Sequence, residues 1–130
     1  MGRKTLAIGL LLVPFMSGMV MAFGDDFVGH WQNQNKNTRA ITSAEIEDLG
    51  GEVKVHMWGA CHPNPCDWGE STLEGHGKVR HARWTTGFAT KEQTLKLLKE
   101  HRLRVKTHTH FTDNSGRRDY TATDILLQQP

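Results

Sequence analysis

Residues 102–111, Arg-Leu-Arg-Val-Lys-Thr-His-Thr-His-Phe, alternate without a break between charged or imidazole side chains and side chains that tolerate burial. Successive residues of a β-strand point to opposite faces, so this stretch has one face for a core and one for water. A helix would spread the same residues around its whole circumference. The alternation predicts a strand with Leu103, Val105, Thr107 and Thr109 on one side. Arg104, Lys106, His108 and His110 fall on the other.

Shorter runs of the same kind recur along the chain. Residues 52–58 alternate and should bury Val53, Val55 and Met57, and Gly50-Gly51 before them is a favoured two-residue hairpin connection. Residues 26–34, 38–47, 69–74, 78–86, 93–99 and 120–127 also read as strands, with turn signals at 75–77 and 112–116. That cadence of about eight strands with hairpin-length links predicts an all-β fold. A small up-and-down antiparallel barrel is favoured over a β-sandwich, because closing a meander removes exposed edges. One segment is open: residues 91–101 carry Leu95 and Leu97 at strand spacing but also suit a helix of two to three turns.

The N-terminus reads as an export signal. Arg3 and Lys4 precede an apolar run over residues 6–20, and Val20-Met21-Ala22 suits signal-peptidase cleavage. Residues 1–22 are therefore expected to be removed, leaving residues 23–130 as one domain, with 23–25 a loose start. No later segment is long and apolar enough for a membrane-spanning helix. The whole chain carries a formal charge of +2, and cleavage takes two of its 16 basic residues and none of its 14 acidic ones. The balance that remains removes the excess positive charge on which nucleic-acid binding rests. The expected location is the periplasm or the outside of the cell. The eight histidines add positive charge as pH falls through about 6.5.

In that oxidising setting Cys61 and Cys66 are expected to form a disulfide. The alternative is a zinc site from Cys61, His62 and Cys66, although that spacing fits zinc poorly. The staple would set a loop running from Trp58 through His62, Pro63, Asn64, Pro65 and Asp67 to Trp68. Indole rings beside amide, imidazole and carboxylate groups suit a small or carbohydrate-like ligand, the rings stacking and the polar groups orienting. The candidate binding residues are Trp58, His62, Asn64, Asp67, Trp68, Asp113 and Arg117. One of the two tryptophans is expected to pack inward.

Two catalytic chemistries compete with binding. His108 and His110 share a strand face about 6.5–7 Å apart, a spacing from which strand-borne zinc sites are built, with His56 or His62 as a third ligand. Against this stands an ordinary solvated cationic face shared with Arg102, Arg104 and Lys106. Asp67, Glu70, Asp113 and Asp119 could supply the carboxylate pair of a glycosidase, but spacing in sequence does not show which of them pair. No G-x-S-x-G motif is present. No cofactor is called for, and neither metal ligands nor catalytic residues are assigned.

Gly29-His30-Trp31-Gln32-Asn33 resembles the opening strand of calycin barrels such as lipocalins and avidins, which implies a Trp sealing one barrel end. A longer set, Trp58-Gly59-x-Cys61-His62-Pro63-x-x-Cys66-Asp67-Trp68-Gly69 with Phe111-Thr112-Asp113-x-Ser115-Gly116-Arg117-x-Asp119-Tyr120, resembles small uncharacterised bacterial exported domains. That likeness implies a shared fold and no activity. The expectation is an exported, non-catalytic binding or accessory protein. A small secreted metal-dependent or acid/base hydrolase is the runner-up, and a structural cell-envelope protein without a ligand is a third reading.

Overall fold

The computed structural model describes residues 25–130, so the expected signal segment lies outside the described residues. Eight strands follow one another: β1 Gly29–Asn33, β2 Ile41–Leu49, β3 Glu52–Gly59, β4 Cys66–Thr72, β5 Val79–Thr85, β6 Ala89–Leu98, β7 Arg102–Phe111 and β8 Tyr120–Gln128. They form one antiparallel sheet in the order β4-β3-β2-β1-β8-β7-β6-β5. Neighbours in sequence are neighbours in space, and β1 against β8 turns the meander into a nearly closed barrel. The sandwich alternative is thereby set aside.

Residues 91–98 are strand, not helix. They belong to β6, which pairs with β7 along ten registered positions from Ala89↔Phe111 to Leu98↔Arg102. Gln93 and Leu95 face inward and are buried. Strand β4 begins at Cys66, three residues before the sequence pattern suggests. Asp25 is not loose either: its carboxylate pairs with Arg80 at 3.0 Å and accepts the Phe27 N–H at 2.9 Å.

The interior is graded along the barrel axis. At the end where the chain enters, Phe27 and Trp31 are buried, the Trp31 Nε1–H donates to the Phe27 carbonyl, and the Arg80 guanidinium lies 4.6 Å from the Phe27 ring centre. Ile46, Val55, Met57, Leu95, Leu103, Val105 and Leu126 fill the middle. Toward the other end the inward side chains turn polar. Trp84 Nε1–H donates to Gln93 Oε1 at 2.9 Å, Gln93 Nε2–H to Thr107 Oγ1 at 3.1 Å, and Lys91 Nζ to Thr109 Oγ1 at 3.2 Å. Burying these groups costs little because each has a partner. The barrel mouth is thus filled by a hydrogen-bonded ladder. Four connections rim this end: residues 34–40, 60–65, 86–88 and 112–119.

One seam lacks a ladder. Between β4 and β5 the backbone pairing is the Glu74–His81 bridge alone, supplemented by Ser71 Oγ–H donating to the Arg83 carbonyl at 2.6 Å. A side chain closes the rest. The β3–β4 register shifts between Met57 and Trp58, leaving Trp68 as an extra residue in β4, with Gly69 at φ +82° behind it. Such a bulge turns a side chain away from its alternating face, and glycine suits the left-handed backbone it needs. Trp68 swings inward, packs on the core, and meets Trp84 edge to face at 6.0 Å.

Gly59 is the floor beneath that indole: a Cβ there would lie 2.5 Å from Trp68 Nε1. Gly59→Ala should therefore destabilise the protein by about 1–3 kcal/mol through overpacking. In a Trp68→Ala background the same change should cost close to nothing, because the colliding ring is gone. Urea denaturation of the four proteins checks this; additive costs would show that the two residues do not share the seam.

Candidate functional site

Trp58 and His56 stand two residues apart on β3 and share its outer face, as strand alternation requires. Their rings stack with centres 4.1 Å apart and planes 13° from parallel. Asp67, opposite Trp58 across the β3–β4 pair, accepts a hydrogen bond from His56 Nε2 on Oδ1. The same oxygen accepts the Gly69 N–H at 2.7 Å. That backbone bond, and next the His56 bond, hold the Asp67 carboxyl below the ordinary carboxylate range. Asp67 therefore has two structural tasks: it fixes the bulge that aims Trp68 inward, and it holds the ring that backs Trp58.

The Cys61–Cys66 disulfide closes the loop above this stack, with Cα atoms 5.5 Å apart. This excludes the zinc alternative built on both thiolates. His62 and Asn64 are exposed at the loop tip. Trp58 is half-buried at the rim on the outer face of β3; Trp68 is half-buried too, but packs against the core, with the Lys91 ammonium 5.1 Å from its ring centre. Of the two indoles expected beside the disulfide, Trp58 is the one displayed.

Asp113 and Arg117 lie on a different loop. Around the barrel, the β3–β4 and β7–β8 hairpins stand on opposite sides of the mouth. The two groups of sequence-selected residues therefore share an end of the barrel without sharing a pocket. Arg117 donates to Asp113 Oδ2 at 2.8 Å and to Ser115 Oγ at 3.0 Å. Its guanidinium lies 4.0 Å from the Phe111 ring centre and 5.6 Å from that of exposed Phe88. The Ser115 hydroxyl, and then the Arg117 guanidinium, depress the Asp113 carboxyl to about 2.

Register also builds a row that no spacing in the sequence reveals. His30 faces Glu45, Glu45 faces His56, and His56 faces Glu70, so imidazole and carboxylate alternate across β1 to β4 on the outer wall. On the other half Arg83, Glu92, His108 and Thr121 continue the line across β5 to β8. A groove of about 730 Å³ lies over the weak seam and this second half, walled in part by Thr72, His81, Arg83, Glu92 and His108. Strand parity assigned the outward faces of β3 and β7, but which histidine meets which acid depends on hairpin register.

Asp119 also escaped the sequence reading in its actual role. It is paired with His110 and His108, not with a second carboxylate. The His110 hydrogen bond is the main cause of its lowered pKa. Asp67, Asp113 and Asp119 are thus all held in the ionised form.

The sign of the pH effect follows. A carboxyl whose pKa is lower folded than unfolded stabilises fully above its unfolded value, near 3.9, and loses that contribution as pH falls through the folded value. For Asp113 the window runs from about 4 down to about 2. Asp113→Asn should flatten part of the decline in urea midpoint across that window. Parallel declines for wild type and variant would show that the Ser115 and Arg117 contacts to Asp113 do not form in solution.

Comparison of the chain with protein-family models, with curated proteins and with solved structures finds no match.

Proposed function

We propose that this is an exported, non-catalytic binding protein whose contact surface is the rim formed by Trp58 and the Cys61–Cys66 loop, and whose ligand is small or carbohydrate-like. The observation that carries this reading is the His56–Trp58 stack at 4.1 Å, held from the side by Asp67 and followed along the strand by the disulfide-closed loop. A flat aromatic surface held in place before the ligand arrives loses little entropy on binding. Both bonds to Asp67 fall on Oδ1, leaving Oδ2 to accept a ligand hydroxyl beside the ring. His62 and Asn64 at the loop tip add imidazole and amide groups that suit sugar hydroxyls. Asp113 and Arg117 form a separate polar and aromatic surface on the opposite rim.

A disulfide accords with an oxidising compartment, so the periplasm or the extracellular space suits this role. The hydrolase reading fits less well. A glycosidase general acid needs a carboxyl whose pKa is raised. Asp67, Asp113 and Asp119 are all shifted the other way by their partners.

Calorimetric titration of the mature protein against a panel of mono- and oligosaccharides tests the reading. At least one member should bind saturably, and Trp58→Ala should weaken it by at least about fivefold, the equivalent of about 1 kcal/mol of stacking. Trp31 and Trp84 are buried and Trp68 packs against the core, so most of any change in indole fluorescence should also be lost with Trp58. No binding by any member, or binding indifferent to Trp58, favours the structural envelope role.

A further inference from the structure

The outer wall of β6 to β8 carries a second cluster, on the opposite side of the barrel from the Trp58 rim. His108 and His110 point outward from β7, and the Asp119 carboxylate lies against both. Oδ2 is 3.3 Å from His108 Nε2, and Oδ1 is 2.8 Å from His110 Nδ1. On its far side His108 Nδ1 meets Thr121 Oγ1 at 3.1 Å, which turns Nε2 toward Asp119. Glu92 stands opposite His108 in the β6–β7 ladder. A hollow of about 290 Å³ is walled by Thr90, Glu92, His108, His110 and Asp119, four of which carry imidazole or carboxylate donors.

We propose that this cluster binds one divalent transition-metal ion of the zinc class, with His108 Nε2, His110 Nδ1 and Asp119 as ligands and Glu92 or water completing the set. Imidazole nitrogen with carboxylate oxygen is a donor set suited to such ions. Two ligands each about 2.0–2.1 Å from a tetrahedral zinc stand about 3.3 Å apart, which is the His108–Asp119 separation. The Thr121 contact is the outer support that ligating histidines usually have. As the side chains stand, each imidazole addresses a different Asp119 oxygen, and no three donors among the described residues converge on one point. The ion draws them together, replacing the hydrogen in the His–Asp links. The three side chains are 50%, 57% and 45% exposed, so no packed neighbour encloses them.

Glu92 faces His108 from β6, while Lys106 on β7 and Arg83 on β5, the latter 3.2 Å from Glu92, oppose a cation.

The experiment is titration of tag-free, disulfide-intact protein with zinc chloride at pH 7.5, by calorimetry and by competition with a chromophoric chelator. The expected result is one ion per chain. His108→Ala, His110→Ala and Asp119→Ala should each weaken binding at least about tenfold, and Thr121→Val by about tenfold without abolishing it. These residues are exposed, and circular dichroism should show each variant folded. In the wild type the ring-proton resonances of His108 and His110 should move on adding zinc while those of His30 and His56 stay. Zinc uptake below about a tenth of an equivalent at millimolar metal would overturn the proposal. So would uptake that survives the His108→Ala, His110→Ala double variant, or that disappears with His56→Ala instead.

Discussion

Closure of this barrel depends on the contact between the Trp68 indole, the bare backbone of Gly59 and the edge of Trp84. Seven of the eight seams between strands are held by backbone ladders, six between consecutive strands of the meander and one between β1 and β8. The eighth has a single bridge, and an indole takes the place of the missing rungs. For that to happen β4 must gain a residue, Gly69 must take a left-handed conformation, and position 59 must have no side chain. Asp67 binds the Gly69 amide and so secures the bulge. The disulfide at the head of β4 holds the same strand where it has least backbone support.

That arrangement explains why one rim carries both a structural and a displayed tryptophan. The bulge separates Trp68 from the outward parity it would otherwise have, while Trp58 keeps its own. Asp67 is shared by the two arrangements, through one oxygen. The polar ladder Trp84–Gln93–Thr107 fills the mouth just below the rim. The interior at this end is therefore filled, and only its lip and outer wall face solvent. Asp124, buried beneath the 34–40 loop, receives Asn33 and Thr38 on one oxygen while the other has no protein partner among the described residues. An ordered water is the ordinary occupant of such a position.

Much of the fold was legible because strand alternation is local. Leu103, Val105, Thr107 and Thr109 are inward as the spacing requires, and Val53, Val55 and Met57 likewise. Over residues 91–101 Leu95, Leu97 and Leu98 satisfy either period, so spacing alone does not separate strand from helix; the ten-position ladder with β7 decides it. The site was less legible, for reasons that concern register. Nothing in the spacing of Asp67, Trp68 and Gly69 announces that Trp68 is the inserted residue, although a glycine directly after an aromatic in a strand is a signal for a bulge. Asp119 reads as one acid among several until the β7–β8 hairpin folds it onto His108 and His110. The His30–Glu45–His56–Glu70 row is assembled by three hairpins, each adding one member.

The weak seam has a consequence for how copies of this chain meet. From Glu74 the ladder alternation directs the backbone groups of Thr72 and Glu70 on β4, and of Arg83 and Thr85 on β5, toward one another across a gap with no backbone bond between them, the Arg83 carbonyl taking the Ser71 hydroxyl instead. If the indole leaves, the sheet still has its other ladders but is no longer a ring. It becomes a ribbon with two bare edges, and bare edges recruit strands from other molecules. Trp68 thus covers an edge that would otherwise lie bare.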